Sequence, residues 1–254
     1  MRNRVVASVA ALTMMTAIPL ILQAQTPAAP PAAVQSPNRS LKVPDLSGTW
    51  RADNKRGGLG QSISLADPDG ARRGKEGDIP YQSWALAKTL SEKPSSGPGA
   101  SREDTTDPSI QYCEPIGIVR IQMQPGAMKF VQTPELVYIF YERGPNFQMV
   151  RLNGKHPDDP DPLWWGDSIG WYENGDTLVV DLVVFKDKTW LDEEGHPETE
   201  QLHLVERYKR VNANTLELDM TIDDPGAYTK PFHSHRNFAR SKAPLQQEQV
   251  CSTR

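Results

Sequence analysis

The chain has 254 residues, with 28 Lys plus Arg against 32 Asp plus Glu, a net charge of −4. That acidic balance, without any cluster of basic and aromatic residues, excludes nucleic acid and anionic lipid surfaces as natural partners. There is no P-loop, Gly-x-Gly-x-x-Gly or Gly-x-Ser-x-Gly, so nucleotide-dependent and Ser-elbow chemistry have no support.

Residues 1–24 open with Met1-Arg2-Asn3-Arg4 and continue as an apolar run from Val5 to Leu22, broken by Pro19. This reads as a secretory signal peptide cleaved after Ala24. The interrupted run, followed at once by Gln, Thr and Pro, argues against a membrane anchor. In an exported chain the even pair Cys113 and Cys251 points to one disulfide that ties the chain end to the body. Residues 25–43 are rich in Ala and Pro, cannot bury enough apolar surface to order themselves, and read as a flexible linker. Residues 44–254 remain for a single domain.

Folded structure is expected to begin at Pro44-Asp45-Leu46-Ser47-Gly48-Thr49-Trp50. Residues 51–108 are rich in Gly, Pro, Ser and charge, with one short helix predicted at 81–90, where Trp84, Leu86, Ala87 and Leu90 form an apolar stripe. Short strands are then predicted at 116–122, 128–132, 136–142, 147–152, 167–173, 177–185, 201–211, 215–222 and 233–239. Asn153-Gly154, Asn174-Gly175-Asp176 and Asn212-Ala213-Asn214 supply the residues that tolerate positive φ in tight hairpins. The fold class is all-β, an antiparallel meander closing into a barrel, because closure removes exposed strand edges.

Strand parity separates an inside from an outside. Leu216, Leu218, Met220 and Ile222 share one face, and Leu202, Leu204, Glu206 and Tyr208 share another, which puts a carboxylate among apolar residues. Phe147, Met149 and Arg151 share parity too, making Arg151 the expected inward partner of Glu206. Asp181 sits in a strand apolar on both faces, either at a lined cavity or fixing the Trp190 loop. In that loop Asp192, His196 and the following His203 gather among carboxylates, the usual equipment for proton transfer near neutral pH. The loop from Gly154 to Asp167 carries His156, three prolines and the pair Trp164-Trp165. No spacing approaches His-Glu-x-x-His, so neither a metal nor any other cofactor is expected.

Gly48-Thr49-Trp50 together with the meander resembles lipocalin-like (calycin-type) barrels, in which the tryptophan plugs the closed end. The blocks Asp167-Ser168-Ile169-Gly170-Trp171, Gly175-Asp176-Thr177-Leu178-Val179-Val180-Asp181, Leu191-Asp192-Glu193-Glu194-Gly195-His196-Pro197, Leu202-His203-Leu204-Val205-Glu206-Arg207-Tyr208 and Asp223-Asp224-Pro225-Gly226-Ala227-Tyr228-Thr229 are similar to those of a group of secreted proteins from environmental bacteria, over residues 112–232. The resemblance implies export and a β-barrel, and brings no activity with it. Where that group often has Gly-His-Ser, this chain has Gly166-Asp167-Ser168, so no histidine role passes to that position.

Two functions stand as expectations for a periplasmic or secreted protein. The first is a barrel binding a small, partly apolar or aromatic molecule, walled by Trp164, Trp165, Trp190 and Tyr138 and oriented by Arg151, His156 and Glu206. The second is a cofactor-independent lyase, isomerase or hydrolase acting on a small aromatic or sugar-derived substrate. It would use His203 or His196 with Glu206, Asp192 or Asp181 as acid and base.

Overall fold

The computed structural model describes residues 43–52, 79–95, 100, 103–143 and 147–246. The expected signal peptide, all of the linker before Val43, and Cys251, the expected partner of Cys113, lie outside the described residues. Nine strands form a closed barrel in chain order: β1 (Gly48–Ala52), β2 (Ala127–Gln132), β3 (Leu136–Tyr141), β4 (Phe147–Leu152), β5 (Asp167–Glu173), β6 (Thr177–Val183), β7 (His203–Arg210), β8 (Thr215–Asp223) and β9 (Phe232–Ser241). The all-β meander read from the sequence is therefore the fold. One junction departs from it: β4 and β5 pair parallel, through Arg151 with Ile169 and Leu152 with Gly170. A parallel step needs a long return connection, and residues 153–166 supply it. At the β5–β6 hairpin, Asn174 and Gly175 both have positive φ (53° and 72°), as the turn chemistry requires.

The inward rows make the core. Leu216, Leu218, Met220 and Ile222 of β8 are buried as parity predicts, and so are Leu204, Glu206 and Tyr208 of β7. On β4 the prediction is reversed. Gln148 and Val150 point inward, while Phe147 and Met149 are exposed and pack with Tyr138 and Phe140 on the outer surface. Hydrophobicity misled there because the outward side chains form their own aromatic cluster, and because the polar Gln148 is needed inside.

Residues 116–122, predicted as a strand, are a second departure. Ile118–Met123 form a helix, α3, whose six residues are all buried. It lies across the lumen: Gln122 reaches Tyr141 of β3 and Tyr208 of β7, and Ser234 of β9 reaches the Met123 sulfur. A segment inside a closed barrel has no strand edge to pair with, so it must satisfy its backbone groups locally, and a helix does so despite β-branched Ile118 and Val119. Two short helices precede it, α1 (Ser83–Ser91), close to its predicted span, and α2 (Pro108–Gln111). Asp107 caps α2 and receives both terminal nitrogens of Arg120 from α3, at 3.0 and 2.6 Å, which fixes the plug. Among the described residues no helix is long and apolar enough to cross a membrane.

At the other end of the sequence order, β1 closes the ring between β2 and β9. Trp50 is fully buried, donates from Nε1 to the Leu46 carbonyl at 2.8 Å, and has the Arg240 guanidinium 4.9 Å from its ring centroid. Gly48 makes this possible: its φ is 109°, and a Cβ there would strike the Arg240 guanidinium.

Candidate functional site

The expected catalytic residues separate into three places. The first is on the outer face of β5, β6 and β7. Asp181 occupies an outward position between Ile169 and Val205, His203 opens β7 on the same face, and Asp167 opens β5. Arg151 ends β4 beside them. The connection 153–166 folds back over this face and brings His156 down onto the two carboxylates.

The result is a continuous chain of ionisable groups. His203 Nε2 bonds Asp181 Oδ1, and the other Asp181 oxygen lies 3.3 Å from His156 Nε2. His156 Nδ1 is 2.6 Å from Asp167 Oδ2, and Asp167 accepts both terminal nitrogens of Arg151 at 2.7 and 2.8 Å. Arg151 also donates to the Lys155 carbonyl at 2.9 Å, which ties the connection to the strand. Exposure is lowest inside the chain, 9% at Asp167, and highest at its two ends, 34% at Arg151 and 45% at His203.

Electrostatics follow this order. The His203 hydrogen bond holds the Asp181 carboxyl below its ordinary value, with burial opposing. Asp181 in turn raises His203, again through the hydrogen bond first and against burial, with Asp223 adding its charge. The Arg151 hydrogen bonds hold Asp167 down. His156 has a carboxylate oxygen at each ring nitrogen. An imidazole held by a carboxylate, with its ring exposed to solvent, is a proton donor and acceptor ready for use.

No family model, curated protein or solved structure matches this chain. What the site does therefore follows from its own geometry.

The second place is the loop knot. His196 Nδ1 lies 2.5 Å from Asp192 Oδ2, Tyr81 stacks on the imidazole at 5.7 Å between centroids, and both members of the pair are buried. Burial opposes ionisation of Asp192, but the charge and hydrogen bond of His196 keep its carboxyl low. Asp192 also accepts from the Glu194 amide at 2.8 Å, so this pair organises the loop instead of meeting His203. Asp192, Glu194 and His196 each bring a ligand atom within 4.8 Å of the others, the one such grouping among the described residues.

The third is the lumen. Glu206 is fully buried and accepts from Gln122 Nε2 at 2.5 Å, Gln148 Nε2 at 3.1 Å and the Tyr208 hydroxyl at 3.1 Å. Burial pushes its pKa up to about 7. Arg151, expected as its partner, is outside on Asp167, because the β4 parity is reversed.

The expected aromatic wall is likewise dispersed. Trp165 packs edge-on against Tyr141 and donates to the Ile116 carbonyl at 2.7 Å, anchoring the approach to α3. Trp164 lies under the Lys186 ammonium, 4.9 Å from its ring centroid. Trp190 is buried and bridges to Pro197, and Tyr138 belongs to the outer aromatic cluster. Asp167, which joins His156 to Arg151, was missed by sequence reasoning. Its signal was parity: it shares the outward face of β5 with Ile169, Trp171 and Glu173.

Proposed function

We propose that the protein is a cofactor-independent acid–base enzyme in which His203, backed by Asp181, exchanges a proton with substrate on the outer barrel face. The observation that carries this reading is the half-exposed His203 ring bonded to Asp181, the most exposed member of a hydrogen-bonded chain that continues through His156 and Asp167 to Arg151. In its imidazolium form His203 donates to a leaving group or carbonyl oxygen, and the ring then recovers its proton from solvent. Asp181 selects the tautomer and stabilises the charged ring. His156, Asp167 and Arg151 hold Asp181 in place and keep the connection 153–166 against the strands. Tyr138 and Met149, directly opposite one another on the same outer surface beyond Arg151, favour a small substrate with an aromatic body.

The test is turnover of small aromatic esters, lactones and enolisable ketones by the full chain. His203→Gln should lower kcat roughly 100- to 10,000-fold with an unchanged far-ultraviolet dichroism spectrum. Asp181→Asn should bring the His203 titration, followed by NMR, back down toward the ordinary histidine value. His235→Ala, on the far side of β8, should change neither. A His203→Gln protein that turns over substrate normally, or a His203 titration indifferent to Asp181, would remove His203 from the reaction.

A further inference from the structure

We infer that the outer face of β9 carries a chelating site for a divalent transition-metal ion, in which His233 and His235 supply imidazole nitrogens and Asn237 a side-chain carbonyl. None of the three takes part in the reaction proposed above, and neither inference depends on the other.

A strand sets residues i and i+2 on one face, about 6.6–6.8 Å apart along the chain, so His-x-His on a strand presents two imidazoles to the same side. In β9 the inward row is Phe232, Ser234, Arg236 and Phe238, and the outward row His233, His235 and Asn237 is exposed. Each ring is steadied from β8 by the residue directly across, Thr221 opposite His233 and Asp219 opposite His235. Both contacts are made to Nδ1, 3.2 Å from Thr221 Oγ1 and 2.6 Å from Asp219 Oδ1. A carboxylate only accepts, so His235 Nδ1 carries the proton and, in the neutral ring, Nε2 holds the lone pair. A metal-bound histidine is oriented and made more basic in this way, with an outer oxygen on one ring nitrogen and the ion on the other.

Asn237 completes the set. Its Oδ1 lies 3.3 Å from His235 Nε2, one acceptor facing another when the imidazole is neutral, and a cation between them satisfies both lone pairs. Ligand atoms held about 2.0–2.1 Å from one ion stand about 3.0–3.4 Å from each other, so the observed separation already suits two neighbouring ligands. His233 Nε2 has no hydrogen-bond partner among the described residues, and its ring reaches the ion by leaning along the strand at the expense of only the long Thr221 contact. The side chains of His235 and Asp219 are 48% and 60% exposed, which leaves water to fill the remaining coordination positions. Two imidazoles and an amide oxygen favour borderline ions, Cu2+ most strongly, over Mg2+ and Ca2+, which prefer oxygen alone. The Asp219 carboxylate offsets part of the ion's charge.

The test is titration of the full chain with Cu2+, Zn2+ and Mg2+ in a buffer that does not chelate them, read by calorimetry and by the paramagnetic resonance spectrum at one equivalent of Cu2+. Cu2+ should bind more tightly than Zn2+, Mg2+ should not bind detectably, and the copper spectrum should show two coordinated nitrogens. His233→Ala and His235→Ala should each weaken Cu2+ roughly tenfold or more and remove one nitrogen from the spectrum. Asp219→Asn should weaken it roughly tenfold with both nitrogens retained, the mark of a group that positions a ligand without being one. His203→Gln, which deletes an exposed imidazole two strands away, should change neither reading. No copper binding, an affinity that His233→Ala and His235→Ala leave unchanged, a loss caused by His203→Gln instead, or Mg2+ bound as tightly as Cu2+ would each overturn the inference. Should a variant fail to fold, the nitrogen count of the unaltered chain decides alone, and fewer than two nitrogens rejects the site.

Discussion

Glu206 is held by three neutral donors and, among the described residues, by no cation, and this fixes the sign of its contribution to stability. Its folded pKa of about 7 stands above the ordinary 4.5, so the folded state binds the proton more tightly than the unfolded chain does. The stabilisation is complete below the ordinary value and is lost as pH rises through about 7, a change on the order of 3 kcal/mol. Glu206→Gln retains shape and an acceptor oxygen without the charge. Urea denaturation across this range should show a flatter profile for that variant and higher stability than the parent above neutrality; parallel profiles would mean that Glu206 does not titrate there. The outer pair behaves differently. Raised His203 supports the fold below the ordinary histidine value and loses that support as pH rises through its higher folded value. Depressed Asp181 supports it above the ordinary aspartate value and loses that support as pH falls. The pair therefore helps most between the two, where both groups are charged. That His203 faces outward was readable from strand parity; Asp181 was not, because its strand is apolar on both faces, and the structure overturns both the lined cavity and the Trp190 loop expected for it, placing it on the outer face against His203 through the β6–β7 register. Nothing in the sequence placed His156 on them, since a loop residue has no periodicity to read.

At the scale of elements, α3 is the piece on which the interior depends, and its anchor is the Asp107–Arg120 pair, 0% and 5% exposed at the side chains. Burial pushes the Asp107 carboxyl up, but hydrogen bonds and charge from Arg120 and bonds from Ser109 hold it below its ordinary value. Asp107→Asn leaves Arg120 buried without an anion and should cost about 3–5 kcal/mol by chemical denaturation. A loss of under about 1 kcal/mol, the usual scale of an exposed pair, would place the anchor elsewhere. Strand β5 carries a second element-level constraint. A Cβ on Gly170 would come within 2.7 Å of the Val150 side chain and the Val179 carbonyl, so Gly170→Ala should destabilise by roughly 1–3 kcal/mol through overpacking. The strands β2 to β9 were legible because alternation and turn residues agree along them. Residues 118–123 were not, because Ile118, Val119 and Ile121 have strand propensity and only the closed surroundings dictate a helix. The inward direction of β4 was hidden for a related reason: Phe147 and Met149 are the more apolar residues, but they serve an outer aromatic cluster.

For the whole molecule, chain order equals barrel order, so each strand from β3 to β9 meets its predecessor across a connection far shorter than the one before β2. Strand β1 is the exception on both sides. It meets β2 only after the intervening stretch from Ala52 to Ala127, and meets β9 across the entire domain, with Trp50 opposite Met128 and Arg240. Loop-closure entropy makes such contacts late in folding. Arg240→Ala, which removes the nearer of the two guanidinium groups over the Trp50 ring and leaves Arg210 at 5.5 Å, should cost about 0.5–2 kcal/mol and speed unfolding more than it slows refolding in stopped-flow traces; the opposite split would put β1 in the folding nucleus. The first strand to leave the ribosome is thus the last to find its place. Until Phe232–Ser241 has been synthesised, β1 has nothing on one side and the growing sheet keeps two open edges. The barrel is a stave vessel whose first stave waits for the last, so any fragment that stops short of β9 is left with unsatisfied edges and a propensity to self-associate.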